Sequence, residues 1–486
     1  MVLVTIFILP LLGGAAIAAV PGRRSTAWVA VATNGAALVL GILTAARVVR
    51  HGPLSGAWGA LRADALSVFM VIVIGAISLM ASWVGIRTMA REQAEEQGNP
   101  ARSSRYGMLV QAFVAFMLLA VLAANVGVLW VAVEATTIVT VFLVGHRRTR
   151  GSLEAAWKYI VICSVGIALA FLGTVFVYLA ALHAGGHSAQ ALDWTSLMAH
   201  AHRFNPSLMR LAFGLLVLGY GTKVGLAPMH SWLPDAHSQA PAPVSALMSG
   251  VLLTVAFYAI LRFKAVTDVT LGPGFARTLL VVVALLSLAL AASLLITQRD
   301  YKRMLAYHSI EHMGLIALGA AAGIRLAIAA VLLHILGHGL AKSVLFLTSG
   351  EIMAAEGTSQ IDGVRALLAR RPALGRVFGV GLVALLGLPP FSLFTSELVM
   401  VRAEFQVGLG WAAVLAMVAM VVIFIAVVGH ARHMLLGPPE SPGVAVPPPR
   451  WVATPLVGGL AVCGFIGVFA WPLSGLLEAA ARVVAS

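Results

Sequence analysis

The chain has 486 residues, 60% of them hydrophobic and only 10% charged, with a net charge of +14. A mean hydropathy of +0.97 excludes an ordinary soluble domain, in which about a quarter of residues are charged, and indicates a polytopic membrane protein. The basic excess calls for no nucleic-acid partner, because basic loops facing anionic lipid account for it.

A membrane span needs about 20 apolar residues. Fourteen such stretches fall at roughly 2 to 21, 26 to 47, 65 to 86, 107 to 123, 125 to 145, 157 to 181, 209 to 229, 243 to 263, 276 to 296, 304 to 322, 325 to 349, 373 to 400, 410 to 436 and 452 to 475. They predict an all-α bundle of about fourteen transmembrane helices forming one membrane domain over 1–486. The first stretch ends in small residues before Pro21, as a signal peptide does, but no positive charge precedes it, so it reads as a retained span. The longest polar connections are 87 to 106, 182 to 208, 350 to 372 and 437 to 451, the last a proline-rich extended linker.

With the N-terminus outside, 19 of the 32 Lys and Arg residues fall on inner loops, 11 on outer loops, and two, Lys223 and Lys342, within spans. The positive-inside rule then places both termini outside, in a bacterial cytoplasmic (inner) membrane. Only two cysteines occur, Cys163 and Cys463, each inside an apolar run, and there is neither a G-x-G-x-x-G nor a Walker A motif. No iron–sulfur cluster, nucleotide, metal or other cofactor is therefore expected in this chain.

Two spans are broken by proline, the seventh at Ala227-Pro228 and the twelfth at Leu388-Pro389-Pro390. Irregular backbone at membrane depth is tolerated only where its freed groups meet protein or water. Paired interruptions in two halves of a transporter mark internal repeats with the transport site at the breaks. The repeats would be 107–263 (spans four to eight) and 276–436 (spans nine to thirteen).

Beside the first break stands Lys223, an ammonium in an otherwise apolar run. A lysine in hydrocarbon is costly and is a functional candidate by default, here for an ion pathway. Glu134 lies mid-span among valine, alanine and threonine. Burial and an opposite charge act on such groups in opposing senses, so they can be poised to exchange protons near neutrality; a structural ion pair is the plainer reading. His334, His338 and Lys342 recur at i, i+4 and i+8, which aligns them on one helix face about 6 Å apart per step. Such a column suits proton hopping, each transfer covering a hydrogen bond or one bridging water. Core packing is the rival, and a metal pair a lesser one, for which no third protein ligand is apparent.

Glu397 follows the second break and can end a second half-path or simply sit at the interface near Arg402 and Glu404. His230 and Asp235 follow the first break in MHSWLPDAH, either as proton-uptake groups or as caps for broken helix ends. Asp300, Lys302 and Arg303 lie at a predicted inner edge, as solvated loop charge or as a coupling ion pair. His308, Glu311 and His312 open the tenth span and can extend a relay inward. A metal on His183, His187, His200 and His202 of an outer loop is the weakest of these readings.

The segments GTKVGLAPMHSWLPDAHSQAPAPVSALMSG, TQRDYKRMLAYHSIEHMG, HILGHGLAKSVLFL and LPPFSLFTSELV resemble the antiporter-like membrane subunits of respiratory complex I, Mrp cation/proton antiporters and membrane-bound hydrogenases. The resemblance covers nearly the whole chain. Within that superfamily, Ser309-Ile310-Glu311-His312 and the short chain resemble the hydrogenase-4 component F, or formate hydrogenlyase, type. The resemblance implies two inverted five-helix repeats with discontinuous helices 7 and 12, joined by a hydrophilic axis across the membrane middle. It matches Glu134 to the fifth-helix glutamate, Lys223 to the broken-helix lysine, His334, His338 and Lys342 to the central relay, and Glu397 to the twelfth-helix ionisable residue. Asp300 and Lys302 match the loop pair before helix ten. The eighth-helix lysine or histidine of several relatives is replaced, with Ser249 and Thr254 in the candidate places.

The implied function is a proton-translocating subunit of a redox-driven complex, hydrogenase-4-like or NADH:quinone oxidoreductase-like, non-catalytic itself and partnered by other membrane and peripheral subunits. The rivals are an Mrp-type cation/proton antiporter subunit moving Na⁺, a membrane subunit energising inorganic-carbon uptake, and a scaffold whose buried charges only hold helices together.

Overall fold

A computed structural model describes residues 1–20, 24–95, 100–185, 190–436 and 450–485. Arg23, His187 and the proline-rich connection at 437–449 lie outside the described residues. The chain begins with α1 (Val2–Ala19) and α2 (Arg24–His51), followed by a two-stranded hairpin of β1 (Leu54–Gly56) and β2 (Leu61–Ala63). Next come α3 (Ala65–Glu95), α4 (Pro100–Leu122), α5 (Val126–Val144), α6 (Arg150–His183) and the short α7 (Trp194–His200). The seventh span is two pieces, α8 (Pro206–Val224) and α9 (Trp232–Gln239). The eighth runs from α10 (Ala242–Leu247) through a π turn at Met248–Leu252 into α11 (Leu253–Leu271). After α12 (Pro273–Leu295), α13 (Tyr301–Ala322), α14 (Arg325–Glu356) and the short α15 (Leu367–Arg370), the twelfth span is again split, into α16 (Pro372–Leu385) and α17 (Ser392–Gln406). The chain closes with α18 (Gly410–Leu436), α19 (Arg450–Val468) and α20 (Trp471–Val484).

Among the described residues, ten helices are long and apolar enough to cross a membrane, or eleven if α19 and α20, bent by 77°, are one span. The fourteen stretches read from sequence include three of another kind: the two split spans, and α13, which carries Lys302, Arg303, His308, Glu311 and His312.

The two breaks are built alike. Gly225 has φ +82 and Gly387 φ +63, the left-handed conformation that ends a helix at low cost only on glycine. At the first, Leu226 N–H donates to Gly221 O (2.9 Å) and Gly225 N–H to Thr222 O (3.2 Å). At the second, Leu388 N–H donates to Val383 O and Gly387 N–H to Ala384 O, both at 3.3 Å. Each is the paired six-to-one and five-to-two pattern of a Schellman stop, and each is followed within three residues by a cis proline, Pro228 or Pro390. Freed groups find protein partners as the bilayer demands: Trp232 Nε1 donates to Thr222 O (2.8 Å) and Ala227 N–H to Ser287 Oγ (2.9 Å).

At the centre lie α14 and the α10–α11 span, each with its most apolar 18 residues entirely buried. Around α14 pack α3, α10, α13, α16 and α17. At the periphery, α1, α2 and α18 are the least buried of the long helices and turn apolar side chains such as Leu43, Val421 and Ile425 outward. Polar side chains are thus gathered inside and apolar ones outside, the arrangement that hydrocarbon solvent selects.

Candidate functional site

Lys223 occupies the last turn of α8 and is fully buried. Its Nζ donates to Tyr159 Oη at 2.7 Å and lies 4.9 Å from the ring centroid, so the ammonium sits at the phenol's edge and the contact is a hydrogen bond rather than a cation–π stack. Tyr159 is fixed in turn by edge packing on Trp232, 5.0 Å between centroids. Glu134, half-buried on α5, makes no ion pair with Lys223 among the described residues, and its Oε2 has no hydrogen-bond partner. The structural ion pair weighed from sequence is therefore not formed.

The column on α14 is joined by side chains from two other helices. His334 Nε2 lies 3.0 Å from His312 Nδ1 of α13, and His334 Nδ1 lies 2.9 Å from Ser396 Oγ of α17. His338 places its ring 5.0 Å from that of His312, with neither nitrogen hydrogen-bonded. Lys342 Nζ donates to the backbone carbonyl of Leu305. On α13, His308 stacks on His312 at 4.9 Å, and its Nδ1 is 2.7 Å from Glu311 Oε2, not aligned as a hydrogen bond. Glu311 and Glu397 line a cavity of about 340 Å³ beside α16, α17 and α18. The structure thus brings His308, Glu311, His312, His334, His338 and Lys342 into one buried seam, with the half-buried Glu397 at its edge. No hydrogen bond joins that seam to the Lys223–Tyr159 pair among the described residues.

Several sequence readings change. Lys302 is no solvated loop charge: it is buried, and its Nζ donates to Ser238 O (2.7 Å) and Ala240 O (3.1 Å) at the end of α9. Asp300 does not pair with that ammonium but caps α13, its Oδ1 accepting from Lys302 N–H (2.8 Å) and Arg303 N–H (2.9 Å). Asp235 caps nothing; it accepts from Lys158 (3.0 Å) and Arg303 (2.8 Å), tying α6, α9 and α13. His230 turns its Nδ1 to Pro228 O (3.1 Å). Of the two hydroxyls in the candidate places on the eighth span, Ser249 reaches Ser309 Oγ of α13 at 2.8 Å, whereas Thr254 bonds back to Val251 O of its own helix. Arg262 and Lys264, at the end of the eighth apolar stretch, lie buried within α11 and pair with Asp64 (2.6 Å) and Asp268 (2.5 Å). The third ligand missing beside His334 exists after all, because α13 and α17 bring His312 and Glu397 to it. Among the described residues, His183, His200 and His202 form no such group.

Tyr159 and His237 escaped the sequence reading. His237 is buried on α9, its Nδ1 against Leu233 O at 2.9 Å and its Nε2 without a partner; the signal was present, since it closes the PMHSWLPDAH segment two residues after Asp235. Tyr159 gave no signal, because only packing of α6 on α8 carries its hydroxyl to Lys223.

The sequence profile of a family described as NADH:quinone oxidoreductase/Mrp antiporter, transmembrane, matches residues 123–423. The chain belongs to that family. The matched region holds all six relay candidates, Glu134 to Glu397. A hydrogenase-4 component F homolog of Methylacidiphilum infernorum is 40% identical over 342 residues, 70% of this chain and 72% of that protein. Among solved structures, a chain of the membrane-bound sulfane sulfur reductase, an archaeal respiratory membrane complex, aligns with a TM-score of 0.88 at 22% identity, covering 100% of this chain and 98% of that one. A chain of the Mrp complex from Dietzia sp. aligns at 0.85 and 20% identity, covering 99% and 97%. These structural likenesses establish the fold, an antiporter-like subunit bundle.

Chemically, this family member offers a seam of groups that both accept and donate protons, with two imidazole nitrogens in hydrogen-bond contact and others, on His308, His312 and His338, without a protein partner. Buried polar atoms without protein partners demand water. A wet file of imidazoles supports transfer over short hops.

Proposed function

We propose that this chain is a proton-translocating membrane subunit of a redox-driven ion-pumping complex, of the hydrogenase-4 type, moving H⁺ along Glu134, Lys223, His338, His312, His334 and Glu397. It holds no redox centre of its own; electrons stay in partner subunits, and the chain lies in a bacterial inner membrane with both termini outside. Protons enter near the first break, at the inner end marked by Asp235, pass by way of Lys223 to the histidine seam, and leave outward past Glu397. Lys342 and Lys302, each held by backbone carbonyls, set the field along the route, and Ser249–Ser309 bridges the place of the missing eighth-helix ionisable group. The observation that carries this reading is the His312–His334 contact at 3.0 Å inside a fully buried cluster.

The donors also favour H⁺ over Na⁺. A hard cation seeks several oxygen ligands, whereas the seam is built mostly of imidazole nitrogen. An Mrp-type exchange of Na⁺ for H⁺ therefore fits the side chains less well.

The test uses the assembled complex in sealed vesicles. Lys223→Ala abolishes pH-gradient formation while the complex still oxidises its donor. Lys223→Arg, which keeps the charge but cannot release it at any working pH, abolishes it equally. Full pumping by the arginine variant would mean that only charge, and no proton transfer, is required at this position.

A further inference from the structure

We propose that His312, His334 and Glu397 form a binding site for one divalent transition-metal ion of the zinc class, within the seam. The three donor atoms lie within 4.8 Å of one another and come from three helices, α13, α14 and α17. Two imidazoles and one carboxylate, with a fourth position left to water, is the donor set of open zinc sites. Tetrahedral bonds of about 2.0–2.1 Å put two ligating nitrogens roughly 3.3 Å apart. His312 Nδ1 and His334 Nε2 stand at 3.0 Å, so a shift of a few tenths of an ångström admits the ion.

The surroundings also suit a metal. A ligating histidine is usually oriented by a hydrogen bond on its other nitrogen, and His334 Nδ1 has Ser396 Oγ at 2.9 Å. With the metal on His312 Nδ1 and His334 Nε2, each neutral imidazole carries its one proton on the other nitrogen, His312 Nε2, which has no partner in the protein, or His334 Nδ1, so no net proton is released. Glu397 also lines the 340 Å³ cavity that it shares with Glu311. Those two carboxylates balance the ion's two charges, which matters because an uncompensated charge at this depth is prohibitively costly.

One consequence rests on the proton-transfer reading. The lone pairs that the ion takes are those that carry the hop between His312 and His334, so its binding arrests translocation.

The test titrates the purified complex with Co²⁺ as an optical probe. A single equivalent gives visible ligand-field bands of low-coordinate cobalt, displaced stoichiometrically by Zn²⁺. His334→Gln and Glu397→Gln lose the bands, and His202→Gln in the outer loop keeps them. Ser396→Ala, which leaves all three ligands in place, weakens binding about ten- to a hundredfold, the usual effect of losing an orienting partner. Its elution as an intact complex separates that loss from misfolding. Absence of a zinc-displaceable band, or its survival in both ligand variants, overturns the site. Binding with undiminished pumping in vesicles upholds the site and tells against the proton route instead, while zinc arrest without a cobalt band overturns the site alone.

Discussion

Lys223 donates to a neutral phenol, whereas Arg262 and Lys264, equally buried, are each matched by a carboxylate at 2.6 and 2.5 Å. That contrast sets a buried ammonium with no carboxylate partner apart from buried cations each fixed by one. A buried ion pair adds little net stability, yet removing one partner costs about 3–5 kcal/mol because the other is left bare. Asp64, in the turn before α3, is a case that titrates. Burial pushes its carboxyl up, but the Arg262 charge and hydrogen bond, with the Ser67 N–H, outweigh this and hold it below the ordinary value. A lowered native value means that the pair stabilises the fold above the unfolded carboxyl value of about 3.9 and loses that contribution as pH falls through the native one. Asp64→Asn should therefore lower the unfolding midpoint in detergent by the equivalent of about 3–5 kcal/mol at pH 7. The gap to the unaltered protein should close on acidification below about pH 4, since protonated Asp64 then leaves Arg262 as bare as asparagine does. A gap that does not change with pH would show that the amide disrupts packing rather than charge.

The helix elements meet their most specific demand at the two stops, Gly225-Leu226-Ala227-Pro228 and Gly387-Leu388-Pro389-Pro390. A side chain at Gly387 would be strained by φ +63 and would also meet the Glu397 carboxylate directly, whereas Gly357, with φ +73 at the end of α14, faces open space. Alanine at either costs about 1–2 kcal/mol for the left-handed backbone. Only Gly387→Ala should also displace Glu397, so proton translocation in vesicles should fall at least tenfold for Gly387→Ala and stay near normal for Gly357→Ala, with similar losses of thermal stability. Equal pumping in the two would remove Glu397 from the path. These stops were legible in sequence because proline and glycine punctuate helices locally, and the histidine column because i, i+4 spacing is a property of one helix. What sequence left hidden was between helices. The meeting of His312 with His334, of Ser396 with His334, and of Tyr159 with Lys223 depends on which helices pack together, and nothing local to Arg262 announced Asp64. Even α13 falls short of an apolar span because it carries Lys302, Arg303, His308, Glu311 and His312.

Across the whole molecule, charges gather at two ends and leave a titratable middle. At one end Glu351 binds Arg87 (3.2 Å) and Arg91 (3.0 Å), Glu356 binds Arg370 (2.9 Å) and Arg371 (2.8 Å), and Asp235 joins Lys158 and Arg303. At the other end lie the Asp64–Arg262 and Lys264–Asp268 pairs and Asn125, whose Nδ2 donates to Asp193 (2.9 Å). The first end holds more cations than its carboxylates neutralise, and an excess of Lys and Arg near span ends marks the inner side. That end also carries the C-termini of α3 and α14, so fusions should read its side directly. Alkaline phosphatase joined after Gly357 should be inactive and a fluorescent protein there bright, while the same reporters joined after Ser486 should give the opposite result. If Gly357 reported from outside, the ring of arginines would face the wrong compartment. Uptake beside Asp235 would then draw on the outer proton pool, and the direction of pumping assigned to the seam would have to be reversed.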